Sequence, residues 1–178
     1  ARADWIIATK WGHKFHECFK RDQCFRPADL LTQLEGSLRA LGTDYVDVLQ
    51  FHSGSDTDFV IEGMWEAARL AKAQGKVRFL GNSIGANDNV FQTDASTSVG
   101  VDVIQVIYNR LQREPEAGVL PSCQRQNLGV LARVPLASGF LSGRYRPGHV
   151  FPDNDVREVW MKTGRDTLLA EVEHIAAT

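Results

Sequence analysis

Two side chains capable of proton chemistry stand at the ends of apolar stretches. Lys10 closes WIIATK and His52 closes DYVDVLQFH, and both stretches have the length and composition of buried β-strands. A cation and an imidazole N–H can both stabilise negative charge that develops on an oxygen atom. Taken alone, Lys10 can instead reach solvent along its alkyl stem, and His52 can be a hydrogen-bonded structural histidine.

Predicted strands and helices alternate along the chain and must position these residues. Pro27 is well placed to open a helix, leucines repeat behind it at helical spacing, and Gly42 stands where a C-terminal cap is expected. The predicted strands are 5–10, 44–52, 76–83, 101–109 and 128–136; the predicted helices are 27–41, 61–74, 117–126 and 163–177; and the segments 11–26 and 137–152 are predicted as loops.

Strands separated by helices predict a parallel sheet, arranged either as an open doubly wound sheet or as a (β/α)8 barrel. No G-x-G-x-x-G follows any strand, which disfavours the dinucleotide-binding open sheet. Lys10, His52, Ser83 and Asn109 stand at the C-terminal ends of successive strands, and in a barrel those ends meet at the mouth, where the active site lies. We therefore predict an α/β fold, a (β/α)8 TIM barrel, in a single domain over 1–178. Since only five strands are predicted, either the chain is a piece of a barrel or the other strands lie elsewhere.

The composition is that of an ordinary globular chain. Among 178 residues, 20 basic and 22 acidic side chains give a formal net charge of −2, so nothing predicts a nucleic acid or an acidic membrane surface as partner. We recognise no signal peptide and no apolar run long enough to cross a bilayer. Three cysteines, an odd number, fit a reducing cytoplasm better than a disulfide framework.

Five ordered segments resemble the aldo-keto reductases. They are IIATKWG, LEGSLRALGTDYVDVLQFH, GKVRFLGNS, QVIYNRLQRE and PLASGFLSGRY, and together they extend over almost the whole chain. The resemblance implies a (β/α)8 barrel that binds NADPH, or NADH, at its mouth and interconverts small carbonyl compounds and alcohols by hydride transfer. On this basis the chain is expected to cover the third to the seventh barrel strands.

The resemblance implies catalytic positions for Lys10 and His52. Family reductases use an aspartate, a tyrosine, a lysine and a histidine; Lys10 matches the lysine of a TK motif and His52 matches the histidine. A cation beside the tyrosine brings the phenol pKa from about 10 toward neutrality, so that the phenol can donate a proton. The family's aspartate and tyrosine precede the third strand, and Tyr45, Tyr108 and Tyr145 stand at the wrong positions. We therefore expect this chain alone not to reduce carbonyls at a useful rate.

The resemblance also implies residues that surround the nicotinamide. Ser83 matches a serine that holds the carboxamide, whereas Ile84 stands where asparagine is common, and Asn82 is an open substitute. Gln105 matches a glutamine that contacts the same amide, with a structural hydrogen bond as the alternative. Arg133 takes the place of an aromatic residue that stacks on the ring, and a guanidinium can also stack on a flat ring.

The segment PLASGFLSGRY, 135–145, resembles the loop that wraps the cofactor pyrophosphate. Small residues let the backbone approach phosphates and point N–H groups at them, although an ordinary Gly/Ser loop has the same composition. The expected cofactor contacts here are Leu136, Ser138, Gly139, Leu141 and Ser142.

The first predicted loop contains four side chains that zinc accepts, namely His13, His16, Cys18 and Cys24. Their spacing matches no standard metal motif, so we interpret them as loop residues and expect no metal site. Cys123 and Trp65 lie on predicted helices and are expected to pack in the core.

Three functions stay open. The first is an NAD(P)H-dependent aldo-keto reductase, as part of a longer chain. The second is a cofactor-binding regulatory protein that resembles the potassium-channel beta subunits, and the third is an inactive truncated product. An open arc of five strands has two unpaired edges and an uncovered interior. We therefore expect the chain either to aggregate or to associate with a partner, which includes a homo-oligomer.

Overall fold

The structure, a computed structural model, describes residues 1–17, 20–160 and 164–177 and alternates strands with helices. The strands are β1 (Ala8–Trp11), β2 (His13–Glu17), β3 (Lys20–Gln23), β4 (Val46–His52), β5 (Val77–Ser83), β6 (Val103–Ile107) and β7 (Gly129–Arg133). The α-helices are α1 (Pro27–Leu41), α2 (Asp56–Phe59), α3 (Met64–Ala73), α4 (Val90–Ala95), α5 (Val119–Gln126), α6 (Val156–Trp160) and α7 (Arg165–Ala177).

Five strands form one parallel sheet in the order β1-β4-β5-β6-β7. Helices intervene between β1 and β4, β4 and β5, β5 and β6, and β6 and β7, as crossover connections require. The sheet is open, with β1 and β7 at its edges. The prediction of an α/β fold with an incomplete (β/α)8 barrel is confirmed.

Helix α1 forms where the sequence predicts it. Pro27 lies in its first turn, where a missing N–H costs no hydrogen bond, and Gly42 caps its end with a left-handed φ of 61°. Leu30, Leu34 and Leu38 are buried and form the apolar stripe that packs the helix against the rest of the unit.

An aromatic cluster forms the centre of the packing beside β1 and β4. The rings of Trp11 and Phe51 lie 5.8 Å apart, and Trp65 lies 5.7 Å from Trp11, both in edge-to-face arrangements. Trp65 Nε1 donates a hydrogen bond to the Phe59 carbonyl at 2.8 Å. The expectation that Trp65 belongs to the core is confirmed, and Cys123 of α5 is likewise buried.

The chain divides into two compact units. The first comprises Ala1–Val106 and Glu114–Leu131, and the second comprises Ile107–Arg113 and Ala132–Thr178. The second unit has a core of its own, formed by Ala137, Phe140, Tyr145, Phe151, Leu169 and Val172.

Two predictions for the N-terminal part are wrong. β1 begins at Ala8, and Trp5 and Ile6, predicted to be buried, are 71% and 85% exposed. The predicted loop 11–26 contains the antiparallel pair β2 and β3, with His13 opposite Gln23. Phe15 is the one apolar residue of these two strands, so their sequence lacks the alternation that indicates a strand.

The remaining differences from prediction are local. Helices α2, α4 and α6 were not predicted, because each spans six residues or fewer and contains hardly one apolar repeat. Residue 163, the predicted start of the closing helix, and Cys18 lie outside the described residues. No helix within the described ranges combines the length and hydropathy needed to span a lipid bilayer.

Candidate active site

Four of the predicted site residues share one face of the sheet in the first unit. Lys10 lies opposite Gln50, His52 lies opposite Ser83, and Ser83 lies opposite Gln105. Side chains at opposite positions of parallel strands point to the same face, and the period of two places Gln50 and His52 together on β4. The Ser83 hydroxyl donates a hydrogen bond to Gln105 Oε1 at 3.4 Å. Lys10, His52, Ser83 and Gln105 therefore stand near the C-terminal ends of neighbouring strands.

The opposite face of the sheet packs against helices. Thr9 Oγ1 lies 3.3 Å from the hydroxyl of Ser37 on α1. Asn82 Nδ2 donates to Oε1 of Gln92 on α4 at 3.2 Å, and both residues are buried. The Asn82 side chain is thus directed toward α4, on the face of the sheet opposite to Ser83.

Gln50 is a buried polar residue that the sequence analysis did not single out. Its side chain is fully buried, and neither atom of its amide has a hydrogen-bond partner. Gly81 makes room for it, because a Cβ built on Gly81 would lie 2.7 Å from Gln50 Cγ. The available signal was a polar residue two positions before His52 within a buried strand.

His13 lies beside His52, which the sequence analysis did not anticipate. The two ring centroids are 4.5 Å apart, and the ring of Phe25 packs on His13 at 5.7 Å. Gly12, with φ of 119°, turns the chain from β1 into β2 at this point; a Cβ there would lie 2.0 Å from Phe25. The close approach of Phe25 therefore requires glycine before His13.

The surroundings of the His13 ring favour its neutral form. The ring is 8% exposed, and among the described residues neither ring nitrogen has a partner within 3.5 Å in good hydrogen-bonding geometry. Burial lowers its pKa, and the positive charge of Arg21 lowers it further. Backbone groups of His52 and Gly12 and the charge of Asp58 oppose this shift but are weaker.

His16 and Cys24, two further side chains that zinc could accept, have different surroundings. His16 Nε2 lies 2.6 Å from a carboxylate oxygen of Asp22, across β2 and β3. Cys24 is a free thiol at the end of that pair. In residues 1–17, 20–160 and 164–177, no group of three His, Cys, Asp or Glu side chains is arranged to hold a metal ion.

Tyr45 and Tyr145 both contact arginine side chains. Tyr45 precedes β4, at the other end of the strand from His52, with the guanidinium carbons of Arg2 and Arg78 at 4.0 and 4.5 Å from its ring centroid. In the second unit, the Tyr145 hydroxyl accepts a hydrogen bond from Arg157 at 2.6 Å.

The segment after β7 lies in the second unit and has an unusual backbone. Val134, Ala137, Ser138 and Gly139 all have positive φ, of 55°, 47°, 56° and 94°. Non-glycine residues rarely adopt this conformation, and runs of it direct backbone groups into concave turns that suit anions. Ahead of this turn, burial lowers the pKa of Arg133, and its Nε has no hydrogen-bond partner.

The remaining predicted contacts of this loop differ in exposure. Leu136 is 55% exposed, and Ser138 is exposed as well. Leu141 packs against the core of the second unit. Ser142 donates to the Gly139 carbonyl and so closes the turn on itself.

A cavity of about 670 Å³ lies at the opposite end of the sheet and is not the candidate site. Ile6, Phe79 and Leu131 line it with apolar surface, next to the first residues of β4 and β6. It contains none of the polar residues assembled at the C-terminal strand ends, so we place no chemistry there.

Comparison with known proteins agrees with this arrangement. The sequence profile of the Aldo/keto reductase family matches residues 1–178. The chain belongs to the aldo/keto reductase family. It is 30% identical over 160 residues to aldo-keto reductase yakc of Schizosaccharomyces pombe, whose name specifies NADP(+), with 88% of this chain and 46% of that protein covered.

Other aldo/keto reductases match this chain with similar sequence identity and coverage. Aldo-keto reductase YhdN of Bacillus subtilis is 32% identical over 85% of this chain and 45% of its own length. The glycerol dehydrogenase AKR11B4 of Gluconobacter oxydans superimposes with a TM-score of 0.79 at 28% identity, over 94% of this chain and 52% of that one. The holo form of aldo-keto reductase AKR11C1 of Bacillus halodurans superimposes with a TM-score of 0.71 at 30% identity, over 86% of this chain and 49% of that one. The chain therefore spans about half the length of these relatives.

Proposed function

We propose that this chain forms part of an NAD(P)H-dependent oxidoreductase that reduces aldehydes and ketones to alcohols. The observation that carries the proposal is the shared register of Lys10, His52, Ser83 and Gln105 at the C-terminal ends of neighbouring strands. In barrel enzymes these ends form the active site. Membership of the aldo/keto reductase family and the NADP(+) in the name of the yeast relative support NADPH as the cofactor, with NADH as the alternative.

Lys10 and His52 are proposed to be the catalytic pair of this chain. Lys10 occupies the register of Gln50, and neighbouring strands lie about 4.8 Å apart, so its ammonium group belongs to the same corner of the sheet as His52. The positive charge of Lys10 would lower the pKa of a phenol placed beside it, which makes that phenol a proton donor near neutral pH. The imidazole N–H of His52 would hold and polarise the substrate carbonyl oxygen.

Ser83 and Gln105 fit a nicotinamide carboxamide. Their side chains lie within hydrogen-bonding distance of each other on the face that also bears His52, and Ser83 is 2% exposed. A hydroxyl beside an amide offers both a donor and an acceptor, as a carboxamide requires. The nicotinamide ring supplies the hydride when it is bound.

In the second unit, Arg133 and the loop with Leu136, Ser138, Gly139, Leu141 and Ser142 are proposed as cofactor-binding residues. The positive φ values at Ser138 and Gly139 support an anion-binding turn. The unpartnered Nε of Arg133 supports a planar ligand or an anion at that side chain.

The catalytic set of this chain is proposed to be incomplete without a tyrosine from outside it. Tyr45 lies at the other end of β4 from His52, and none of Tyr45, Tyr108 and Tyr145 matches the sequence position of the family's catalytic tyrosine. The 178-residue chain alone is therefore expected to bind cofactor weakly and to reduce carbonyls at no useful rate. A cytoplasmic location is proposed from the odd number of cysteines in the sequence. Burial raises the pKa of the Cys123 thiol, which disfavours the reactive thiolate.

The test uses the full-length protein that contains this chain, supplied with NADPH and a reactive aldehyde. We expect oxidation of NADPH, and we expect Lys10→Met to lower kcat by about 10²- to 10⁴-fold, the range that positioned acid–base groups contribute. Lys14→Met is the matched control, since Lys14 is an exposed lysine on β2. NADPH fluorescence titration checks that Lys10→Met still binds the cofactor.

Two results would contradict the proposal. Full activity of Lys10→Met would remove Lys10 from the chemistry. Tight NADPH binding without turnover of any aldehyde would favour a cofactor-binding regulatory protein instead of a reductase.

A further inference from the structure

His13 combines three properties that together suit a ligand site. It is more than nine-tenths buried, neither ring nitrogen has a partner in good hydrogen-bonding geometry among the described residues, and its ring lies 4.5 Å from that of His52. A buried polar group without a well-formed hydrogen bond is destabilising. A ligand that hydrogen-bonds to His13 would offset that cost.

The chemistry of the ring limits what this ligand can be. Burial and the charge of Arg21 lower the pKa of His13, which favours the neutral ring, with one N–H donor and one acceptor nitrogen. A hydroxyl group both donates and accepts, and therefore complements it. A carboxylate only accepts and would require the cationic ring that the surroundings disfavour.

The distance between the two imidazoles limits where the hydroxyl lies. His52 is proposed to hold the carbonyl oxygen, and the His13 ring is its immediate neighbour. Oxygens on adjacent carbons are separated by about one hydrogen-bond length, so neighbouring rings can each take one of them. The aromatic rings of Phe25 and Phe15 pack against His13, at centroid distances of 5.7 and 6.2 Å.

We propose that His13 is a specificity-determining residue that hydrogen-bonds to a hydroxyl group on the carbon next to the substrate carbonyl. The substrate class is thus α-hydroxy aldehydes and α-hydroxy ketones. This inference rests on the proposed function, since it assumes that His52 receives the carbonyl oxygen.

The test compares butan-2-one with 3-hydroxybutan-2-one, which differ by one hydroxyl group, in the full-length protein with NADPH. We expect the wild type to have the higher kcat/KM for the hydroxyketone. In His13→Phe the ratio of the two kcat/KM values should fall about three- to tenfold, the effect of one neutral hydrogen bond. His13→Asn, which has a donor and an acceptor, should retain most of the ratio. His16→Phe is the matched control, since His16 is exposed on the same strand and paired with Asp22.

The outcomes separate the two proposals. If the wild type reduces neither ketone nor a reactive aldehyde, the proposed function fails and this inference fails with it. If the wild type reduces both ketones with equal kcat/KM, or if a folded His13→Phe keeps the wild-type ratio, only the role of His13 is overturned. Equal wild-type kcat/KM values would overturn the role of His13 even where His13→Phe does not fold, and His13→Asn then serves as the second variant.

Discussion

Gly81→Ala is expected to destabilise the sheet at the candidate site. The added Cβ would lie 2.7 Å from Gln50 Cγ and 3.0 Å from Val103 Cγ1, well inside the roughly 3.5–4.0 Å at which carbon atoms pack. Gln50 is fully buried, so it cannot swing into solvent to relieve the overlap. Overpacking of this kind costs about 1–3 kcal/mol in the free energy of unfolding.

The assay is urea unfolding of the full-length protein, followed by circular dichroism, with the free energy of unfolding taken at a common m-value. Gly36→Ala is the control: Gly36 lies within α1, a Cβ there meets nothing within 4 Å, and alanine should stabilise the helix by about 0.5–1 kcal/mol. Gln50→Ala removes the clashing Cγ, so the Gly81→Ala penalty should shrink by at least about 0.5 kcal/mol in the double variant. A Gly81→Ala protein as stable as the wild type, or additive effects in the cycle, would refute the contact between β4 and β5 on which the site is built.

Two further predictions concern each unit separately. Leu34→Ala should lower the free energy of unfolding by about 2–5 kcal/mol, because Leu34 is 1% exposed on α1. Leu31 is 39% exposed on the same helix, so Leu31→Ala should lower it clearly less. Equal losses of stability in the two variants would contradict the assigned buried face of α1. In the second unit, hydrogen bonds from the Arg157 side chain and backbone lower the pKa of Asp155 to about 2. Since folding favours the ionised carboxylate, its contribution to stability is complete above about pH 4 and is lost as the pH falls toward 2. Thermal unfolding from pH 5 to pH 2 should therefore show a weaker acid dependence in Asp155→Asn, and an unchanged dependence would contradict the ion pair.

The sequence predicts correctly those parts of the fold where the signals at the ends of an element and the pattern of its apolar residues indicate the same structure. The helix over 27–41 has a proline at its start, a glycine cap and a leucine stripe, and all three signals give the bounds of α1. The strands β4 and β5 are apolar runs whose final residues, His52 and Ser83, lie in register. Sequence order alone thus predicts that these side chains are neighbours, because parallel strands end at the same edge of a sheet.

The predictions fail where a residue's environment depends on a partner that the local pattern does not specify. Trp5 and Ile6 are apolar and were expected to be buried, yet both are exposed. The apolar character of a residue favours burial, but it does not specify which element packs against that residue. The β2–β3 pair has only one apolar residue, so it leaves no alternation to detect. The proximity of His13 to His52 depends on that pair and on the turn at Gly12, and therefore could not be predicted from spacing.

Buried polar groups are hydrogen-bonded at one end of β4 and lack hydrogen bonds near the other. At the N-terminal end, the Asp47 carboxylate accepts hydrogen bonds from the Ile7 backbone, Arg2 and Arg78. Near the C-terminal end, the Gln50 amide and the His13 ring have no hydrogen-bond partner in good geometry among the described residues. Unsatisfied groups of this kind are destabilising, each by about 1–3 kcal/mol. Hydrogen bonds from a ligand would offset this cost, in agreement with the proposal that Lys10 and His52 face a bound substrate.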